Sequence, residues 1–248
     1  MNNELINKLS EIIEGSDNIV FFGGAGVSTE SNIPDFRSEN GLYKARTEYG
    51  RSVEQLISRR FFDRNPEVFF RYYTENLIFK DAKPNKAHLA LAQLEKMGKL
   101  KAVVTQNIDN LHQLAGSKAV FELHGSVFRN YCMDCRKFYG VEEVLAFGGD
   151  VPRCECGGII KPDVVLYEEG LDDEVWSGAY NAVKNADVLI VGGTSLVVYP
   201  AAGLVNLYKG NKLVLINKGE TAYDMRADLV IHESIGEVLS QALIGVKG

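Results

Sequence analysis

The sequence predicts an α/β protein built on a doubly wound parallel sheet, with a smaller second lobe that carries a cysteine cluster. Three observations support this. Short all-apolar runs recur with helical stretches between them, the pattern of strands covered on both faces by crossover helices. Several runs pass directly into glycine or polar residues, and such sheets bind ligands at the carboxyl ends of their strands. All four cysteines of the 248-residue chain, Cys132, Cys135, Cys154 and Cys156, fall in one window. That placement suits metal binding in a reducing compartment better than disulfides scattered through a secreted fold.

In chain order, Leu5, Ile6, Leu9, Ile12 and Ile13 recur at helical spacing and Gly15 closes the pattern, as a glycine does at a helix C-terminus. Ile19 to Phe22 then forms a short buried-strand run that breaks into Gly23-Gly24-Ala25-Gly26. Like runs occupy Ala102 to Val104, Val188 to Val191, Leu213 to Ile216 and Leu229 to Ile231, with helical stretches such as His88 to Met97 and Glu174 to Lys184 between them. The alternation is that of a Rossmann-like fold, and the segments after Phe22, Val104, Val191 and Ile216 should share one crevice. Two stretches interrupt it, a helical, aromatic insertion at about 35–79 and the cysteine-bearing segment at about 126–162. The expected organisation is a single domain: a large lobe from about 1–34, 80–125 and 163–248, and a small lobe from the two insertions.

A hydrophobic content of 46% suffices for one core and a satellite module. The net charge of −6 provides no general positive field to attract nucleic acid or an anionic membrane. No stretch approaches the ~18 apolar residues of a membrane span, and Met1-Asn2-Asn3-Glu4 does not open a signal peptide. A cytoplasmic protein is expected.

Gly24-Ala25-Gly26-Val27-Ser28, directly after a strand, could cradle a pyrophosphate, because glycine lets the backbone approach closely. A tight turn without a ligand is the alternative, since Thr29 stands where the dinucleotide fingerprint has its third glycine and the Walker lysine is missing. Ile33-Pro34-Asp35-Phe36-Arg37 sets an acid, an aromatic and a cation beside that turn. Thr105-Gln106-Asn107-Ile108-Asp109-Asn110-Leu111-His112 brings amides and carboxylate to a strand end. Cys132-x-x-Cys135, eighteen further residues, then Cys154-x-Cys156-Gly157-Gly158 resembles a zinc ribbon, with free or disulfide-bonded thiols as the alternative. Four sulfur ligands would leave the metal no open position, so it would be structural.

The Gly-Ala-Gly-Val-Ser, Gln-Asn-Ile-Asp and Leu-His-Gly motifs, with Gly192-Gly193-Thr194-Ser195 and Ile216-Asn217, resemble the sirtuin family in order and spacing over nearly the whole chain. The resemblance implies an NAD-dependent protein-lysine deacetylase, in which the acyl oxygen of the modified lysine attacks the nicotinamide ribose. Nicotinamide, free lysine and O-acetyl-ADP-ribose are released. It implies one structural zinc per chain, an acetylated protein or peptide as partner, a monomer, and no direct nucleic-acid or membrane partner.

It also implies roles, residue by residue. Ala25, Ile33, Asn107, Ile108 and Asp109 would hold nicotinamide, and His124 would act as general base, with Asn107 and Asp109 also at the catalytic centre. Phe36 would cover the reacting ribose, Arg37 would approach the phosphates and Gln106 the ribose, while Thr194, Ser195 and Asn217 would bind the adenosine half. Gly24, Thr29 and Ile235 complete the expected cofactor contacts. Val164, Leu166 and Tyr167 on one side and Val198 on the other would flank the peptide. His88, His112 and His232 are expected to be structural.

Three positions depart from the family pattern: Glu168 and Asn32 stand where glycine is usual, and Gly23 where threonine is common. The Tyr-x-x-Arg pair of succinyl-preferring members is missing, since Glu75 and Asn76 occupy the third position after Tyr72 and Tyr73. Acetyl and longer neutral acyl groups are therefore expected over succinyl. The other readings are mono-ADP-ribosyl transfer, a zinc-ribbon binding module with a vestigial nucleotide fold, and a hydride-transferring dehydrogenase, which Thr29 disfavours.

Overall fold

The computed structural model describes residues 2–35 and 46–246. Helix α1, Asn3–Glu14, starts at Asn2, whose side chain accepts from the Glu4 N–H at 3.0 Å, and buries Ile6, Leu9 and Ile13. Strand β1, Ile19–Gly23, is buried along its whole length. The six-stranded sheet adds β2 (Leu100–Thr105), β3 (Val120–Glu122), β7 (Val188–Gly192), β8 (Lys212–Ile216) and β9 (Leu229–Ile231), in the order β3-β2-β1-β7-β8-β9 with every pairing parallel.

Strand alternation distributes the core. Ile19 and Phe21 of β1 face a layer formed with Leu91 and Leu94 of the Lys86–Lys96 helix and Val238 and Leu239 of the Ile235–Ile244 helix. Val20 and Phe22 face the other layer, with Ala179 and Val183 of the Asp173–Asn185 helix and Leu204 and Val205 of the 3₁₀ segment Ala201–Leu207. Helices therefore cover both faces, which explains why these strands read as continuous apolar runs. Connections run in opposite directions on either side of β1 and β7, whose ends Gly23 and Gly192 lie in register. This is the topological switch point at which such sheets open a crevice.

A second sheet, antiparallel in the order β5-β4-β6, consists of Phe138–Gly140, Gly125–Cys132 and Ile160–Val164. Its Val127, Val164 and the following Leu166 join Phe62, Phe69, Phe70 and Tyr73 in one apolar cluster. Those aromatic residues come from the short helices Arg59–Arg64 and Pro66–Asn76, so the two interruptions of the sequence pattern pack on each other. Gly125 opens β4 at φ 73°, and a Cβ there would collide with the Asp163 carbonyl. Among the described residues no helix is long and apolar enough to cross a membrane.

Candidate functional site

The site forms where β1, β2 and β7 end. The turn after β1 folds against the turn after β7: Gly24 N–H donates to Gly192 O at 3.3 Å and Gly26 N–H to Gly193 O at 2.8 Å. A Cβ on Gly26 would lie 2.7 Å from Gly193 Cα, and Gly193 itself has φ 59°. Both glycines are therefore required by backbone proximity, and the same bareness suits a ligand phosphate.

Beneath that turn lies a polar relay. Ser28, buried at 1% exposure, donates from Oγ to Asp109 Oδ2 at 2.6 Å and accepts from Asn107 Nδ2 at 3.0 Å. Asn107 is held by its N–H on Thr105 Oγ1 at 3.0 Å, and Asp109 Oδ1 accepts the Leu111 N–H at 3.0 Å. Burial pushes the Asp109 carboxyl above its ordinary pKa, with the Ser28 hydroxyl and backbone N–H groups working against the shift.

His124 follows β3. Its Nδ1 lies 3.0 Å from Gln106 O. A carbonyl only accepts, so Nδ1 carries the proton and Nε2 of the neutral ring presents a lone pair. Burial lowers the pKa of this imidazole below its ordinary 6.5, and the Gln106 bond raises it only in part. Gln106 is itself fixed, with its N–H on Gly23 O at 3.0 Å and its Nε2 on Thr194 Oγ1 at 3.1 Å.

These groups line a cleft of about 280 Å³ between the two sheets. Gly24, Ala25, Ile33, Gln106, Asn107, Ile108, Asp109, His124, Thr194 and Ser195 meet there, as do Val164, Leu166, Tyr167 and Val198. Thr29, Asn217 and Ile235 are not among the residues that line it. Thr29 donates from its hydroxyl to Gly26 O at 2.9 Å, and Asn217 Nδ2 to Gly219 O at 2.7 Å. Ile235 is buried over Gly192, where a Cβ would meet its side chain. Phe36 and Arg37 lie outside the described residues.

The cleft lining also includes the apolar Val53, Ile57, Leu77, Phe79, Val127 and Phe128. Sequence reading missed these residues; it took about 35–79 only as a helical, aromatic insertion and gave Val127 and Phe128 no role. Glu75 is not in the lining and instead accepts from Tyr49 Oη at 3.0 Å. His88 and His112 are buried side by side with ring centroids 4.7 Å apart, and His232 Nε2 lies 3.2 Å from Asp224 Oδ2.

The four cysteine sulfurs lie within 4.8 Å of one another, with Cys132 to Cys156 and Cys135 to Cys154 at 3.5 Å. A disulfide needs about 2.05 Å, so these are free thiols. Four thiolates around zinc at about 2.3 Å would lie roughly 3.8 Å apart, and the set fits that cage. Two tight turns present them: Arg136 N–H returns to Cys132 O at 3.0 Å and Gly157 N–H to Cys154 O at 2.8 Å.

Comparison with known proteins agrees with this geometry. The Sir2 family model matches residues 24–200. An "NAD-dependent protein deacetylase" of Clostridium perfringens is 64% identical over 96% of this chain and 98% of its own. One of Clostridium acetobutylicum is 62% identical with the same coverage, 96% and 98%. A solved Sir2 structure with a deacetylated p53 peptide and 3'-O-acetyl ADP ribose superposes with a TM-score of 0.88 at 41% identity, covering 96% of this chain and 97% of that one. With a family model spanning most of its length and relatives this similar end to end, the chain belongs to the Sir2 family.

Proposed function

We propose that this chain is an NAD-dependent protein-lysine deacetylase. The observation that carries the reading is one cleft in which the His124 Nε2 lone pair, the Ser28–Asn107–Asp109 relay and an apolar wall converge. NAD fits the residues present: Gly24, Ala25 and Gly26 line the cleft directly after β1, where glycine lets a phosphate approach the backbone, and polar groups follow at Gln106, Thr194 and Ser195. When bound, NAD supplies the ribosyl carbon that takes up the acyl group as nicotinamide departs.

The protein's own residues do the rest. Asn107 and Asp109, immobilised through Ser28, orient the nicotinamide amide. His124 accepts a proton at Nε2 from a ribose hydroxyl, and the Gln106 carbonyl stabilises the imidazolium through Nδ1. The apolar wall strips water from the acyl-lysine and from the cation that develops at the sugar. Among the described residues no lysine or arginine lines the cleft, so an acidic acyl group would lose its hydration without gaining a partner. The apolar residues among the cleft lining favour, as a second reading, removal of longer neutral acyl groups by the same chemistry.

The zinc is structural and braces the small lobe, which comprises about 35–79 and 126–162, against the larger lobe formed by the rest. The enzyme acts as a cytoplasmic monomer on acetylated proteins; a reducing compartment is what keeps four thiolates available for a metal.

The test is incubation of the zinc-loaded protein with NAD and matched acetyl-, succinyl- and long-chain-acyl-lysine peptides, with products identified by mass. Free nicotinamide, acetyl-ADP-ribose and deacetylated peptide are expected, with the succinyl peptide slowest. His124→Ala should abolish turnover with an unchanged circular dichroism spectrum. ADP-ribosylated protein, NADH, or substantial turnover by the variant would each overturn the reading.

A further inference from the structure

Strand β6 lies at the edge of the three-stranded sheet, and an edge strand presents N–H and C=O groups to whatever chain can pair with it. Its continuation, 164–169, lines the cleft. Val165 N–H points inward to His124 O at 3.0 Å, so alternation turns the main-chain groups of Val164 and Leu166 outward. Of those outward groups, Val164 O and Leu166 N–H are already taken by side chains. Lys161 Nζ donates to Val164 O at 3.0 Å, and Leu166 N–H donates to Glu169 Oε2 at 2.9 Å. Glu169 N–H closes on Leu166 O at 3.0 Å.

The two plugging side chains are tied to each other and to the helical insertion. Lys161 Nζ and Glu169 Oε2 lie 3.1 Å apart with side chains only 17% and 18% exposed, and Arg59 Nη1 donates to Glu169 Oε1 at 3.0 Å. Beyond the plug the pattern reverses. Glu168, at φ 78°, has a backbone N–H with no partner among the described residues, while its carboxylate accepts the Arg60 N–H at 3.0 Å. Arg59 N–H meets Tyr167 O at 2.9 Å, and the helix start thereby holds 167–168 in place.

We infer that Glu169, held by Lys161 and Arg59, is a positioning residue for the substrate peptide: it closes the edge at 164–166 and confines main-chain pairing to the Glu168 end. The inference deepens the deacetylase reading and rests on it. Pairing anywhere along 164–166 would shift the acyl-lysine by whole residues relative to His124, whose carbonyl anchors the same strand. Glu169 acts through main chain it does not share with the reaction. Its loss should therefore appear in peptide recognition rather than in cofactor binding.

The experiment compares the zinc-loaded wild type with Glu169→Ala, Glu169→Gln and Arg59→Gln, measuring kcat, KM for an acetyl-lysine peptide and KM for NAD. Glu169→Ala should raise peptide KM about tenfold, the worth of one charge-assisted hydrogen bond, with the KM for NAD within about twofold of wild type. Glu169→Gln, still able to accept from Leu166 N–H, should recover most of that loss, and Arg59→Gln should fall between the two. An unchanged peptide KM in Glu169→Ala, or an equal rise in both KM values, would overturn the inference. Should Glu169→Ala fail to fold, a wild-type peptide KM in Arg59→Gln would overturn it too. Wild type that releases no deacetylated peptide would instead sink the deacetylase reading itself.

Discussion

His124 can serve as a base because its ring is neutral where the enzyme works. Burial disfavours the charged imidazolium, so its pKa lies below the ordinary 6.5. The base form then persists as pH falls through 6.5 and is lost only lower down. The acid limb of kcat/KM against pH, measured with peptide and NAD below saturation, should accordingly have its midpoint under 6.5; a midpoint above 7 would contradict the burial argument. His124 was legible in the sequence because it stood beside Gly125 at a strand end, and the polar run from Gln106 to Asp109 was legible for a similar reason. Thr29 and Asn217 were less so, since Thr and Asn at a strand end also make local turns, and here each bonds to a neighbouring carbonyl. Ser28 stood in the glycine motif without an assigned role; only the fold brings it to Asp109 and Asn107.

The zinc module is an element whose own core is too small to hold it. Its buried cluster comprises Cys132, Tyr139, Val144, Cys154 and Ile160, two of which are metal ligands. Without the ion, four thiols that pack 3.5 to 4.8 Å apart gain nothing from that proximity and repel once ionised. Removing zinc with a chelator should therefore disorder β4 to β6 by amide exchange and abolish deacetylation, and re-adding it should restore both. Full activity in a sample shown to be zinc-free would refute this. Cysteine spacing made the module readable, but the helices packed on it were read as one aromatic block. The six-residue helix Arg59–Arg64 carries too few turns for a period, and the starts of it and of Pro66–Asn76 are set by Ser58 as N-cap and by Pro66 at the first helical position. The three-residue strand β3 begins in the short apolar run Ala119 to Phe121, which was not singled out, and pairing with β2 defines it.

Over the whole molecule, the alternation of apolar runs and helices foretold the parallel sheet, because strands buried on both faces cannot carry polar residues. It did not foretell what the central layer hides at its edge. His112 packs between His88 of the Lys86–Lys96 helix and Phe21 of β1, and both histidines are essentially unexposed. Among the described residues, Nε2 of His88 and both ring nitrogens of His112 have no hydrogen-bond partner. Burial lowers the His88 pKa from 6.5 to about 4, and burial with the neighbouring His88 charge lowers that of His112 well below 6.5. The unfolded chain therefore binds protons that the folded chain refuses. Stability is full above 6.5 and drains as pH falls from 6.5 toward 4, by about 3 kcal/mol for His88 alone. Urea midpoints measured between pH 7.5 and 4.5 should fall steeply in the wild type and less steeply in His112→Phe, which keeps an aromatic ring of similar size but has nothing to protonate. Parallel slopes for the two proteins would mean that protonation of His112 plays no part in acid unfolding.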